Sequence, residues 1–257
     1  MFCLGAFLAL ILTAPGYAAE NAGAAGSKKL LIFSMPPEGY PPFLIQGPDG
    51  STSGIMLDVL SRLSSHQGYT IRQEYYPEIR EGTMVEQGKI DARAKAREWV
   101  KDPDRFTWSD PITECTDVLV FLKTKPLIFR DLDDLTDKKI IAHLGYTYPV
   151  LDPLFSSNKI RRFDEYNETA MLDSLLKAEH DAAVMNKQVA LWLIKNNKKY
   201  QGKFRFSEKI IDTVGYRIMF TNKKNWGGFA DRFNKDLAQM RASGALKKVI
   251  SRYLAEE

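Results

Sequence analysis

The stretch "GKIDARAKAREW", Gly88 to Trp99, alternates small and cationic residues over its centre. Arg93, Lys95 and Arg97 stand at every second position, with alanines between them. A period of two puts the alanines on one face of a strand and the cations, with Trp99, on the other, whereas a helix would scatter the cations. We therefore predict a strand whose small face lies under a helix and whose cationic face looks into a functional site.

The segments on both sides of this stretch predict alternating strands and helices. Before it come a strand at "KLLIFSM", a loop rich in Pro and Gly, a helix at "GIMLDVLSRLSSHQG", a strand at "YTIRQEYY" and a short helix at "EIREGTMVEQGK". After it come an apolar strand at "TDVLVFLKTKP", further strand–helix pairs, and two final helices separated by Gly244. This order is typical of the α/β class with a largely parallel sheet.

The N-terminal segment predicts export from the cytoplasm. An apolar run over residues 2–12 is followed by a Pro-Gly break and small residues, which indicates a signal peptide over 1–18 with cleavage after Ala18. Residues 19–27 form a small-residue spacer that we predict to be disordered. A membrane anchor is disfavoured because the run is shorter than the about 20 apolar residues that span a bilayer. The usual basic residue is absent before Lys28, which departs from a standard signal peptide.

Composition excludes several classes of function. The formal net charge of +4 is mild, and no nucleic-acid motif accompanies it, so we expect no nucleic-acid partner. Removal of Cys3 with the signal peptide leaves Cys115 alone, which excludes an intramolecular disulfide. The three histidines are far apart in sequence, and no cofactor motif is present, so we expect neither a metal nor a cofactor.

Six short landmarks carry a resemblance to a known family. They are "GYPPF", "GIMLDVL", "GKIDA" leading into "WSDPI", "DLTDKKI" before "GYTY", "DAAVMN", and "ASGALKKVISRY". With these in order, the chain from about Lys29 to Leu254 resembles the bacterial extracellular solute-binding proteins of family 3, the amino-acid-binding receptors of ABC importers. The resemblance implies a two-lobed α/β periplasmic-binding-protein fold of type II, with two crossing hinge strands and a ligand cleft between the lobes. The implied crossings lie near 116–123 and 214–220, so that lobe 1 comprises 28–116 plus 218–257 and lobe 2 comprises 117–217.

The resemblance also implies a function. The expected protein is a periplasmic monomer that captures a small polar or anionic ligand, amino-acid-like or a carboxylate. It docks on an ABC transporter permease and does not catalyse a reaction. Two alternatives stay open. One is a cyclohexadienyl (arogenate) dehydratase on the same fold, in which Glu38 or Glu98 would act as acid or base. The other is a free-standing sensor module.

Several binding positions depart from the pattern of the family. Without a gap, a family Thr falls on Arg97, a second Thr on Trp99, and the Arg that clamps the α-carboxylate on Asp102. The ammonium-binding Asp falls on Asn186. Because both halves of the zwitterion signature are missing, we expect a ligand other than an ordinary α-amino acid.

The cations of the opening stretch suggest what replaces that signature. An arginine is well suited to a carboxylate or phosphate, so we hypothesise that Arg97, with help from Lys95, holds an anionic ligand. This ligand either lacks a free ammonium group or has one that is held differently. The alternative for Arg93 and Lys95 is a structural ion pair with a nearby acid, namely Asp91, Glu98 or Glu81.

Aromatic residues at the same positions favour a ligand with a flat or apolar part. Tyr40 and Phe43 lie in the loop where the family stacks an aromatic ring on its ligand, and Tyr148 is the weakest aromatic candidate. Thr147 follows a strand end, where a hydroxyl and backbone N–H groups can hold an anionic group. The predicted ligand-binding residues are Tyr40, Phe43, Lys95, Arg97, Trp99, Tyr146, Thr147 and Asn186.

Overall fold

The computed structural model of the protein describes residues 28–254, so the predicted signal peptide (1–18) and spacer (19–27) lie outside the described residues. The strands are β1 (Lys29–Met35), β2 (Ile45–Gln46), β3 (Thr52–Ser53), β4 (Tyr69–Tyr75), β5 (Ala92–Lys95), β6 (Thr107–Trp108), β7 (Thr113–Leu122), β8 (Lys139–His143), β9 (Arg161–Glu165), β10 (Ala182–Asn186), β11 (Phe204–Phe206) and β12 (Asp212–Phe220). The helices are α1 (Ile55–His66), α2 (Glu78–Glu86), α3 (Asp152–Ser156), α4 (Glu168–Leu176), α5 (Lys187–Asn196), α6 (Gly227–Ala242) and α7 (Ala245–Tyr253).

Most strands join one mixed sheet with the order β4-β1-β5-β12-β7-β10-β8-β9. At one end β1 pairs in parallel with β4 and β5, and at the other β8 pairs in parallel with β9 and β10. Strand β7 pairs antiparallel with β10, and β12 pairs antiparallel with β5. The sheet therefore consists of two parallel halves joined through an antiparallel centre. The expectation of a largely parallel sheet holds for each half and not for the centre.

Strand β12 passes from one half of the sheet to the other. Its first part pairs with β7, with Asp212 opposite Asp117 and Tyr216 opposite Thr113. Its last part pairs with β5, with Arg217 opposite Lys95. Strands β7 and β12 are thus the two crossing strands that the resemblance implies. The exact lobe boundaries stay a prediction.

Local sequence signals explain where the helices begin and end. Helix α1 places Ile55, Val59 and Leu63 on one buried face at helical spacing, and it is followed by Gly68 with a φ of 76°. Helix α4 begins after Asn167, whose side-chain oxygen accepts a hydrogen bond from the backbone N–H of Ala170 at 2.7 Å.

The opening stretch forms a strand, but a shorter one than predicted. Strand β5 ends at Lys95, and Arg97–Trp99 form a single 3₁₀ turn. The alanines are buried in the core that also holds α1, as the alternation predicts. The opposite face is covered as well, because Arg93 and Lys95 are buried against helix α2.

No helix between residues 28 and 254 is both long and apolar enough to span a bilayer.

Candidate functional site

A cavity lies between the two halves, where the loops after β1 and β5 face those after β8 and β10, and its empty space, part of which is open solvent, is about 370 Å³. Its lining residues are Tyr40, Lys95, Trp99, Asp117, Tyr146, Thr147, Tyr148, Glu168, Met171, Val184, Met185 and Asn186. A second cavity of about 330 Å³ adjoins it and shares Tyr40, Lys95, Trp99 and Tyr146. The structure thus brings together six of the eight predicted ligand-binding residues. Their role in binding stays a prediction.

A buried ion network lies under the first half of the site. The Nζ of Lys95 is 2.5 Å from an oxygen of Glu78, and the guanidinium of Arg93 is 2.6 Å from Glu78 and 2.5 Å from Glu81. Glu78 and Glu81 lie one turn apart at the start of α2, so one helix face supplies both carboxylates. Arg93 and Lys95 therefore form structural ion pairs with nearby acids, which is the alternative given in the sequence analysis. Their shared partner Glu78 was not among the acids suggested there.

The network sets the charge state of its members. Burial alone would raise the pKa of Glu78, but Arg93 and Lys95 outweigh it and lower that pKa to about 2. Burial lowers the pKa of Lys95, and the carboxylate of Glu78 opposes that change. Burial is also the main cause of the raised pKa of Glu81. The ammonium group of Lys95 therefore already forms an ion pair with the carboxylate of Glu78.

Aromatic rings form the walls around Lys95. Its Nζ lies 5.5 Å from the ring centre of Trp99 and 5.4 Å from that of Tyr146, which is within the range of a cation–π contact. The ring of Tyr40 meets the edge of Tyr146 at 6.4 Å, across the boundary between the two halves. Tyr146 in turn stacks on His143, with ring centres 3.8 Å apart.

The opposite side of the cavity carries Asn186 and Asp117, which are neighbours across the β10–β7 pair. The side-chain oxygen of Asn186 caps α5 by accepting hydrogen bonds from the N–H groups of Gln188 at 3.0 Å and Val189 at 3.2 Å. Its amide nitrogen is buried without a hydrogen-bond partner. Burial, with a smaller effect of Asp212, raises the pKa of Asp117 to about 7. A donor without a partner and a carboxyl therefore lie next to each other in this wall.

Glu168 completes the wall from the first turn of α4. Burial raises its pKa to about 7, against the effect of hydrogen bonds from its own backbone N–H and from Tyr146. The Nε2 of His143 lies 4.0 Å from a Glu168 oxygen, but burial lowers the pKa of His143, so that this imidazole is neutral near pH 7. The side chain of Glu168 is only 12 % exposed and faces the cavity, and no lysine or arginine between residues 28 and 254 forms an ion pair with it.

Two predicted residues lie elsewhere. Because β5 ends at Lys95, Arg97 turns away from the cavity, where it pairs with the exposed Asp104 at 2.6 Å and covers the ring of Trp108. Arg97 is therefore not among the residues that line the cavity, and its role as an anion clamp stays a prediction. Phe43 is fully buried behind Tyr40, so the ring that faces the cavity from this loop is that of Tyr40.

Two acids in the cavity were missed by the sequence analysis. Asp117 lies in β7, which the sequence predicts as an apolar strand, and a charged residue within such a buried strand is itself a signal of a functional group. Glu168 follows the capping residue Asn167, where an acid is ordinary for a helix start. The acids suggested for a dehydratase, Glu38 and Glu98, are exposed and do not line this cavity.

A metal centre is not evident in the part of the chain that the structure describes. Within residues 28–254, no group of three His, Cys, Asp or Glu side chains is placed to hold an ion.

Comparisons with known proteins extend these observations. The family model described as bacterial extracellular solute-binding proteins, family 3, matches residues 34–256. A comparison with curated protein sequences found no match.

Similar solved structures span nearly the whole chain. An ancestral arginine-binding protein bound to arginine is 21 % identical, covers 90 % of this chain and 100 % of its own, and has a TM-score of 0.73. An arginine third transport system periplasmic binding protein from Legionella pneumophila is also 21 % identical, with 88 % and 100 % covered and a TM-score of 0.73. A histidine kinase sensor domain with similarity to periplasmic binding proteins is 16 % identical, with 89 % and 97 % covered and a TM-score of 0.77. At these identities the likeness shows the fold.

Proposed function

The chain belongs to the bacterial extracellular solute-binding proteins of family 3, and we propose that it captures one small polar solute in the cavity between its two lobes. It has the two-lobed α/β fold of type II periplasmic binding proteins, with β7 and β12 as the crossing strands. The observation that carries the proposal is the cavity itself, because aromatic rings and polar groups from both lobes line the same space.

The proposed division of the chain places lobe 1 at 28–116 plus 218–257 and lobe 2 at 117–217. Closure of one lobe on the other buries the solute, and the closed form is the one that a partner recognises. We propose that this partner is an ABC transporter permease, that the protein works as a monomer in the periplasm, and that a signal peptide directs it there. The family and the similar structures support these steps.

The proposed binding residues are six from the sequence analysis together with Asp117 and Glu168. They are Tyr40, Lys95, Asp117, Trp99, Tyr146, Thr147, Glu168 and Asn186. A sensor that reports the same solute to a membrane kinase is the second candidate function, and the likeness to a histidine kinase sensor domain favours it. Both candidates require the same binding event, and they differ in the partner of the closed form.

Ligand-induced stabilisation tests the binding event. A solute present at 100 times its dissociation constant stabilises a protein by about 2.7 kcal/mol, which raises the melting temperature by several degrees. A screen of small solutes by thermal unfolding should therefore identify binders, and tryptophan fluorescence should change with the same ligand.

Two variants locate that fluorescence change. Trp99→Phe keeps an aromatic wall but removes the reporter in the cavity, so the ligand-dependent change should be lost. Trp108→Phe, a residue that lies under Arg97 outside the cavity, should retain it. A ligand-dependent change that persists in Trp99→Phe and disappears in Trp108→Phe would place binding elsewhere.

A further inference from the structure

On the side of lobe 2 the cavity carries two acidic groups, Asp117 and Glu168. The cations that approach it are matched, since Lys95 pairs with Glu78, and Arg93 pairs with Glu78 and Glu81. Asp117 and Glu168 are not matched, because within residues 28–254 no lysine or arginine forms an ion pair with either. The nearest base to Glu168 is the buried His143, at 4.0 Å.

Buried carboxyls without a cation are costly, and their cost is relieved when a cation arrives. A bound ammonium or guanidinium would supply the missing charge and would donate hydrogen bonds to both carboxylates. An anion would meet two carboxylates and a lysine that Glu78 already neutralises. The charges of the site therefore favour a cation over the anion that Arg97 suggested.

The aromatic walls select for the same kind of ligand. Tyr40, Trp99, Tyr146 and Tyr148 all line the cavity, and their ring faces attract cations as well as flat apolar groups. The Nζ of Lys95 lies over the rings of Trp99 and Tyr146, so these rings already contact a cation in this structure.

The amide nitrogen of Asn186 adds a second requirement. Asn186 is 3 % exposed, lines the cavity, and its nitrogen has no hydrogen-bond partner, whereas its oxygen is engaged at the start of α5. A buried donor left without a partner costs free energy. A ligand that carries a neutral acceptor, such as a hydroxyl, ether or carbonyl oxygen, would satisfy it.

We propose that the solute of this protein is an organic cation without a carboxylate: an amine or guanidine whose charge is held by Asp117 and Glu168 within the aromatic walls. This inference rests on the proposed solute-binding function. It differs from an amino-acid ligand in one group, because the cavity offers no unmatched cation to receive a carboxylate.

Matched pairs of probes test the missing carboxylate. Each α-amino acid is compared by isothermal titration calorimetry with the amine that remains after loss of its carboxyl group: arginine with agmatine, lysine with cadaverine, and tyrosine with tyramine. Citrate and glutamate serve as anionic probes. For the pair that binds, we expect the amine to bind at least 10-fold more tightly than the amino acid, and we expect neither anion to bind.

Variants test the two carboxyls. Glu168→Gln and Asp117→Asn preserve shape and remove charge, and each should weaken binding of the amine at least 10-fold. Asp104→Asn removes an exposed carboxylate that pairs with Arg97 outside the cavity, and it should bind like the unaltered protein. Thermal unfolding without ligand establishes that each variant is folded, and a Glu168→Asp variant, which keeps the charge, should bind more tightly than Glu168→Gln.

The outcomes separate this inference from the proposed function. If an amino acid or an anion binds more tightly than every amine and Trp99→Phe alters its signal, the cation inference is refuted and the solute-binding function stands. If the amines bind equally well to Glu168→Gln and Asp117→Asn, the assignment of the carboxyls is refuted. If no probe and no member of a broad solute library binds, both the inference and the proposed function fail.

Discussion

Replacement of Glu78 should reduce the stability of the folded chain. Its carboxylate lies 2.5 Å from the Nζ of Lys95 and 2.6 Å from the guanidinium of Arg93, and its side chain is only 15 % exposed. Glu78→Gln keeps the shape of the side chain and removes its charge. Arg93 then retains Glu81, but Lys95 is left buried without a carboxylate beside it.

The size of the effect follows from the pKa of Glu78. The two cations lower it from 4.5 to about 2, which at 1.4 kcal/mol per pH unit corresponds to roughly 3 kcal/mol of stability near neutral pH. Breaking a buried ion pair from one side typically costs about 3–5 kcal/mol, which agrees. For a domain of this size a loss of 1 kcal/mol lowers the melting temperature by about 2–4 °C, so the variant should melt roughly 6–12 °C lower.

Equilibrium unfolding in urea measures this loss directly, and its pH dependence identifies the cause. Because the pKa of Glu78 is lower in the folded than in the unfolded chain, its contribution is complete above about pH 4.5 and disappears as the pH falls towards 2. The difference between the unaltered protein and Glu78→Gln should therefore be full at pH 7 and shrink in that acidic range.

Asp104→Asn is the matched control. Asp104 pairs with Arg97 at 2.6 Å in the same part of the chain, but its side chain is 92 % exposed, so we expect no resolvable change in stability. If Glu78→Gln were as harmless as Asp104→Asn, or if its effect were the same at pH 7 and at pH 2.5, the ion network would not stabilise the fold as argued.

Two further predictions concern lobe closure and helix capping. Gly145 has a φ of 82°, and a Cβ there would lie 2.9 Å from a side-chain carbon of Ile79 on α2 in the other lobe. Gly145→Ala should therefore weaken ligand binding several-fold, as measured by calorimetry. Adding Ile79→Ala should recover part of this loss, because it relieves the clash. Loss of that recovery in the double variant would show that the contact between lobes is not the cause. Asn167→Ala removes the hydrogen bond that caps α4 and should lower the free energy of unfolding by about 1 kcal/mol in urea, whereas an unchanged value would contradict the capping assignment.

The fold was predictable where the signal is local. The apolar spacing of α1, the cap at Asn167 and the alternation of Ala92, Ala94 and Ala96 each depend on a few neighbouring residues, and the structure has these elements. The strand was predicted too long, because the same alternation continues in the sequence past Lys95, where the strand ends. A single 3₁₀ turn after Lys95 is enough to direct the next cation outward.

The charges of the site were less predictable, because they depend on how distant elements pack. Glu78 reaches Arg93 and Lys95 from 15 and 17 residues away, and that pairing follows only from the placement of α2 against β5. Asp117 was hidden within an apolar strand, and Glu168 within an ordinary helix start. No sequence motif with a characteristic spacing links Asp117 to Glu168.

The neighbours of Asn186 explain why a neutral residue suits this position. Asp117 lies opposite Asn186 on one side of β7 and opposite Asp212 on the other. The charge of Asp212 already contributes to raising the pKa of Asp117. A third carboxylate at position 186 would raise the pKa of Asp117 further, because like charges at close range disfavour ionisation. An asparagine caps α5 as an aspartate would and leaves Asp117 able to ionise near pH 7. In the proposed binding mode, position 186 therefore supplies a neutral helix cap, and the acids on β7 and α4 hold the ligand cation.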